Sequence, residues 1–337
     1  MKREWLLRPR RNARATKPHD YGAGTTQPAG PFPASGICAE AAPGNPIPNR
    51  LLLFYNRYWD IDPAAGLAAG FAPGWILSSD QSRMEEADAV VFHIPSMLSW
   101  SVVHKRPGQK WVGWSAECDV NYPQLRNRVF MARFDLTMTY RLDSDVPVPY
   151  INEWIYGQLR RPPAPKTENA TAVIFLSNMR ENSGRSSYIT ELMKYIRVDS
   201  YGKWKPNRVL QQDTGKETKL DTIARYRFSL AFENSLSQDY VSEKFFDSLI
   251  AGSVPVYLGA STIEAFAPAD QCYINVNEFG SPRELADYLL LLEREPARYA
   301  AYLQWKGRPF RSSFIELVSA QREDYRRRLC RALDRIL

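Results

Sequence analysis

The chain has 337 residues, 44% hydrophobic and 24% charged, enough to build two cores of ordinary size. Its formal charge is +7, yet residues 1–20 hold seven basic side chains (Lys2, Arg3, Arg8, Arg10, Arg11, Arg14, Lys17) against Glu4 and Asp20, so the remainder is nearly neutral. No basic stripe interleaves with aromatics beyond that cluster, which excludes a nucleic-acid partner, and no apolar run has the length of a membrane span or a signal-peptide core.

Residues 1–48 are rich in Pro, Gly, Ala and Arg without periodicity and read as a flexible lead-in. Apolar runs predict strands over 51–55, 89–94, 110–115 and 136–140, a doubly wound domain spanning 49–155. His93 lies near the end of the second run, where it is either a structural or a cleft residue. The third run leads into a polar loop, QKWVGWSAECDVNYP over 109–123, that carries Glu117 beside Trp111 and Trp114. Partial desolvation there would raise a carboxyl toward the range useful for a general base; the plainer alternative is a strand-end glutamate. Residues 156–170, with Pro162, Pro163 and Pro165 among charges, have linker composition.

A second domain is expected over 171–310. An apolar run at 172–176, a polar loop at 177–185 and helical periodicity over 186–196 place Arg185 just before a helix. Its planar guanidinium suits phosphate oxygens, although an isolated arginine in a loop is commonly a surface residue. The stretch FENSLSQDYVSEKFFDSLIAGSVPVYLGA then follows a strand at 228–232 with a helix at 241–251 and a strand at 254–258, and Gly252 suits a left-handed C-cap. Tyr240, Glu243 and Lys244 have the spacing of one helix face. The helix N-terminus and Lys244 favour an anion, and Glu243 beside it points to a hydroxyl-bearing partner; the alternative is a capped helix with a solvated ion pair.

Ser281, Pro282 and Glu284 form a capping signature before a further helix. Residues 311–337 are expected to hold one amphipathic helix, with Tyr325, Leu329, Leu333 and Ile336 on one side and six arginines between Arg322 and Arg335. It would pack across the domains or lie on a membrane surface. Four scattered cysteines indicate neither a zinc site nor a disulfide framework, and Asp143-Ser144-Asp145 is too short a pattern to carry a metal assignment. Asn169-Ala170-Thr171 is a formal glycosylation sequon.

Three blocks together resemble the α1,3/α1,4-fucosyltransferases, family 10 of the glycosyltransferases. They are E-N-S, Tyr240, S-E-K and A-G-S-V-P-V in the stretch above; S-N, S-G-R, Y-I-T-E-L and V-D-S-Y-G over 177–202; and W-V-G-W-S-A-E over 111–117. The chain departs from the family at Ser242, where threonine is usual, and at Cys118-Asp119, where Ser-Pro is usual. The resemblance implies a GT-B fold, two Rossmann-like doubly wound domains facing a central cleft. It implies an inverting transfer of L-fucose from GDP-β-L-fucose to an N-acetylglucosamine-containing glycan, in α1,3 or α1,4 linkage.

In that scheme Glu117 and Glu243 are catalytic. Arg185, Asn234, Tyr240, Lys244, Asn178 and Tyr201 bind the donor, and Trp114, Asn121 and His93 bind the acceptor. No cofactor or metal is required, with divalent-cation stimulation left open. A cytoplasmic enzyme is the simplest expectation, with peripheral membrane contact through the basic N-terminal or C-terminal segment; a member trimmed of its anchor would belong to the Golgi lumen. The alternatives are a transferase for another nucleotide sugar and a non-catalytic glycan- or nucleotide-binding protein.

Overall fold

A computed structural model of the protein describes residues 49–68, 70–97, 99–100, 103–179 and 182–337; the expected lead-in at 1–48 lies outside the described residues. Strands β1 (Arg50–Phe54), β2 (Trp75–Ser78), β3 (Ala89–His93), β4 (Lys110–Ser115) and β5 (Leu136–Thr139) form one parallel sheet in the order β2-β1-β3-β4-β5. A second parallel sheet holds β6 (Ala172–Leu176), β7 (Val198–Gly202), β8 (Phe228–Phe232), β9 (Val254–Leu258) and β10 (Ile274–Asn275), ordered β10-β9-β8-β6-β7. Numbered within its own domain, each sheet runs 2-1-3-4-5. The order therefore reverses once per domain, between β1 and β3 and between β6 and β8, and such points open a crevice at the carboxyl ends of the strands.

Strands β3, β8 and β9 are buried along their whole length, which explains why they read as mostly apolar runs and not as alternating ones. The helices are α1 (Arg128–Met131), α2 (Glu153–Gln158), α3 (Arg185–Leu192), α4 (Lys216–Ala224), α5 (Glu243–Ile250), α6 (Pro282–Arg294), α7 (Pro296–Ala301), α8 (Ser312–Ser319) and α9 (Tyr325–Leu333). One face of the second sheet is covered by Ile189 and Leu192 of α3 with Leu285 and Leu289 of α6. The other is covered by Ile155 of α2, Leu220 of α4, Phe245 and Phe246 of α5 and Phe314 of α8.

Two boundaries differ from expectation. Ile151, Ile155 and Leu159 are buried in the second domain's core, so the chain enters that domain before 156, and α2 occupies the start of the expected linker. The single C-terminal helix is in fact two. Asp324 N-caps α9 by accepting from the Arg326 backbone N–H at 2.9 Å, and the break lets each helix serve a different domain. Phe314 and Val318 of α8 stay with the second core, whereas Tyr325, Leu329, Cys330 and Leu333 of α9 return to pack with Leu52, Phe54, Trp75 and Trp114. That packing across the domains covers most of the apolar side of the segment, although Ile336 is 38% exposed. Among the described residues no helix is long and apolar enough to cross a bilayer.

Candidate active site

The crevice of the second domain opens between β6 and β8, and Arg185 spans it. The first residue of α3 and fully buried, it donates from Nη1 to the Phe232 carbonyl (3.1 Å) and from Nη2 to the Asn178 carbonyl (2.8 Å). Arg185 therefore ties the end of β8 to the exposed loop after β6, and it was expected instead as an open fork before the helix. Its charge is nonetheless felt by Lys244, whose ammonium it works against.

Beyond β8 the chain runs through Glu233, Asn234 and Ser235, all buried, to Ser242, which caps α5. Glu233 accepts from the Ser242 backbone N–H (2.7 Å) and hydroxyl (2.8 Å) and lies 3.4 Å from Lys244 Nζ. Gly259 makes room for this carboxylate: a Cβ there would come within 2.8 Å of Glu233 Cγ and 2.2 Å of the Tyr257 hydroxyl. Lys244 Nζ also lies 3.2 Å from Glu243 Oε1, and its side chain keeps 20% exposure. Burial opposes the charge on both Lys244 and Glu243. The carboxylates raise the Lys244 pKa despite that penalty, and Lys244 with Lys219 hold Glu243 at about 2, so both groups stay ionised. Asn234 Oδ1 is buried without a hydrogen-bond partner among the described residues.

Tyr240 lies outside α5, in extended chain after Asp239, whose φ of 61° turns the loop. The spacing argument that put Tyr240 on the first helical turn fails for that reason. Its buried ring instead packs at 5.1 Å from Tyr140 and 6.0 Å from Tyr150, between the domains. Tyr201 is also a core residue. It stacks on Phe175 at 4.8 Å and shares its hydroxyl with Tyr226 at 3.3 Å, so no direct donor contact is available to it.

Glu117 follows β4 in the first domain and is partly exposed. Ser115 fixes its backbone, accepting from the Glu117 N–H (3.1 Å) and donating to the Glu117 carbonyl (3.0 Å). Burial first, then the charges of both Glu117 and Glu243, push up the hydroxyls of Tyr58 and Tyr240, and the same two charges act on Tyr150. The two carboxylates thus flank one tyrosine cluster from opposite domains.

The acceptor assignments divide. Asn121 lies at the domain boundary, its Oδ1 accepting from Asn182 Nδ2 at 2.9 Å. Trp114 and His93 do not reach the cleft. They sit on inner strands of a sheet covered on both faces, where side chains enter the core, and Trp114 stacks on Tyr58 at 4.9 Å with Tyr325 at 5.6 Å. His93 is fully buried, and burial pushes its ring down to about 3, so it is neutral. Its backbone pairs with the Asn56 amide across the first domain's own reversal point (2.8 and 2.9 Å).

Sequence reasoning missed Glu233, Lys219, Asp119 and Ser237. A glutamate ending an apolar strand was the available signal for Glu233; the others depend on contacts far apart in sequence. Asp143 and Asp145 are occupied locally, by Arg141 at 2.6 Å and the Thr137 N–H at 2.7 Å. Among the described residues no group of three or more His, Cys, Asp or Glu side chains could hold a metal ion. Cys118, Cys272 and Cys330 are buried and free.

Two similar parallel-sheet domains with a cleft lined from both sides define a GT-B glycosyltransferase. Profiles described as "Glycosyltransferase family 10 (fucosyltransferase) C-term" and "Fucosyltransferase, N-terminal" match residues 165–337 and 48–151, and the chain belongs to glycosyltransferase family 10. Among its relatives, a fucosyltransferase-like protein of Arabidopsis thaliana is 39% identical over 67% of this chain, a match that spans 43% of the plant protein. The 4-galactosyl-N-acetylglucosaminide 3-alpha-L-fucosyltransferase FUT5 of Homo sapiens is 32% identical over 85% of this chain and 77% of its own length. A crystal structure of an alpha1,3-fucosyltransferase with GDP-fucose shares the fold, with a TM-score of 0.57 at 16% identity, covering 89% of this chain and 93% of that one.

Proposed function

We propose that the protein transfers L-fucose from GDP-β-L-fucose to a hydroxyl of an N-acetylglucosamine-containing glycan in α1,3 or α1,4 linkage, with inversion. The observation that carries this reading is that the charges of Glu117, from the first domain, and Glu243, from the second, act on the same tyrosines, Tyr58 and Tyr240, with Lys244 Nζ 3.2 Å from Glu243. Support for the donor comes from the relatives' names and from the GDP-fucose complex that shares the fold.

Lys244 and the α5 N-terminus receive the diphosphate, and Arg185 adds positive charge from beneath the loops. Asn234 offers its unpartnered amide oxygen, and Glu243 accepts from hydroxyls of the fucose or ribose. Glu117 takes the proton of the acceptor hydroxyl as that oxygen bonds to C1 of fucose from the face opposite GDP. The C1–O bond breaks, its electron pair leaves with GDP, and the transition state is oxocarbenium-like. Asn121 stands at the acceptor side of the boundary. The test is a panel of nucleotide sugars against N-acetylglucosamine-containing acceptors, with product linkage read by mass spectrometry and NMR. Nucleotide release from another donor, with none from GDP-fucose, would overturn the assignment.

A further inference from the structure

The two residues at which the chain departs from its family just after Glu117 both reach across the cleft. Cys118 is fully buried against Tyr140 and Tyr240, its thiol facing Ser235. Asp119 Oδ1 accepts from Ser237 Oγ at 2.7 Å and from the Tyr140 hydroxyl at 3.2 Å. Arg126 grips the same carboxylate, Nε to Oδ2 at 2.9 Å and Nη2 to Oδ1 at 3.2 Å. On the far side, Ser237 belongs to the donor loop between β8 and α5. That loop is itself pinned by Asp239, whose carboxylate accepts from the Leu142 N–H (3.1 Å) and the Thr262 hydroxyl (2.8 Å).

We propose that Asp119 is a positioning residue for the transfer step, clipping the Glu117 loop to Ser237 so that base and donor are held at a fixed separation. This rests on the fucosyl-transfer reading above. Glu117 is tethered on one side by Ser115, and the Ala116 carbonyl before it accepts from the Tyr150 hydroxyl at 2.9 Å. The Asp119 clip supplies the tether on the other side, and the proline usual there has no group to make it. Burial opposes ionisation of Asp119, but hydrogen bonds from Arg126 and Ser237 hold it at about 2, so the clip stays anionic through the working pH range. Reacting groups misplaced by about 1 Å lose rate on the order of 100-fold, so a tether two residues from the base has leverage on turnover without touching the donor.

The test compares Asp119→Ala, Ser237→Ala and the double variant with the wild-type chain, using GDP-fucose and an N-acetyllactosamine acceptor, with GDP affinity from calorimetry. Each single change should lower kcat by about 10- to 100-fold while GDP affinity moves less than about threefold, and the double variant should be no worse than the singles. Asp119→Asn keeps an acceptor oxygen for Ser237 and should recover most of the loss.

Amide hydrogen exchange on the ligand-free protein is a readout that needs no activity. Ser237→Ala should loosen residues 116–126, and Asp119→Ala should loosen 233–241. Losses that multiply in the double variant, or loosening confined to the mutated loop, overturn the clip. A wild-type chain inactive with GDP-fucose but reciprocal in exchange would sink the transfer reading and leave the clip standing.

Discussion

Arg185 Nη1 donates to the carbonyl of Phe232 at 3.1 Å, from a guanidinium with no exposure to solvent. The residue thus joins the ends of β8 and β6 at the point where the second sheet reverses order, and its charge serves the crevice from within. Replacing it removes a donor from two carbonyls at once. Arg185→Ala should cost about 1–3 kcal/mol of folding stability in a urea titration as well as weakening GDP, since the buried Phe232 carbonyl left without this donor carries a desolvation penalty, whereas the Asn178 carbonyl on the exposed loop can turn to water. Arg185→Lys keeps the charge but cannot span both carbonyls, so it should hold GDP better than the alanine variant while remaining destabilised. Full stability in either variant would show that the strut is dispensable.

The pairing of Lys244 with Glu233 predicts a different signature. Glu233 is fully buried, and removing Lys244 strands its carboxylate with only the two Ser242 donors. Lys244→Ala should therefore lower stability by about 3–5 kcal/mol, the usual cost of breaking a buried pair from one side. Combining Lys244→Met with Glu233→Gln removes both charges and should restore most of that stability but none of the GDP affinity. Calorimetry and thermal unfolding on the same three proteins separate the two effects; GDP binding that survived in the double variant would take Lys244 out of the diphosphate site.

How much of this was legible beforehand follows from range in sequence. The strands 110–115, 172–176, 228–232 and 254–258 are read to the residue, because parallel strands covered on both faces leave mostly apolar runs with no alternation. Gly252 sits at C′ of α5 with φ of 68°, as its position after the apolar helix suggested. Periodicity could not tell that Trp114 and His93 lie under the site and not in it. A strand-end aromatic looks the same in both cases, and α9, which closes over Trp114, comes more than two hundred residues later. The Asp119–Ser237 contact joins residues 118 apart in the chain. Nothing local announces it, so the departure from the family pattern at Cys118-Asp119 looked like lost information when it is a cross-domain bond.

The base role proposed for Glu117 separates rate from binding. Its side chain stands beside the tyrosine cluster, and its loop is held by Ser115 and Tyr150, so Glu117→Gln preserves shape while removing the proton acceptor. Turnover with GDP-fucose should fall by about two to four orders of magnitude, the ordinary worth of a positioned base, while GDP affinity is kept. Stopped assays with calorimetry on one preparation decide the matter. Parallel loss of binding and rate would make Glu117 a structural residue.

Lys306 gives a pH dependence whose sign is fixed by its surroundings. Its ammonium donates to the Leu159 carbonyl at 2.9 Å, at the C-terminal end of α2, and only 7% of the residue is exposed. Burial, with the nearby charges of Lys166 and Arg160, pushes its pKa from 10.5 down to about 8. Between those two values the unfolded chain binds the proton and the folded chain has released it, so stability contributed by this group rises with pH across that window and is flat below it. Lys306→Met has no such proton. The stability of the wild-type chain relative to Lys306→Met should therefore climb by about 2 kcal/mol from pH 7 to pH 10. Taking the difference between the two proteins cancels the tyrosines and carboxylates they share. Urea midpoints at four pH values suffice, and a constant difference would mean that the buried ammonium is better solvated than its surroundings imply.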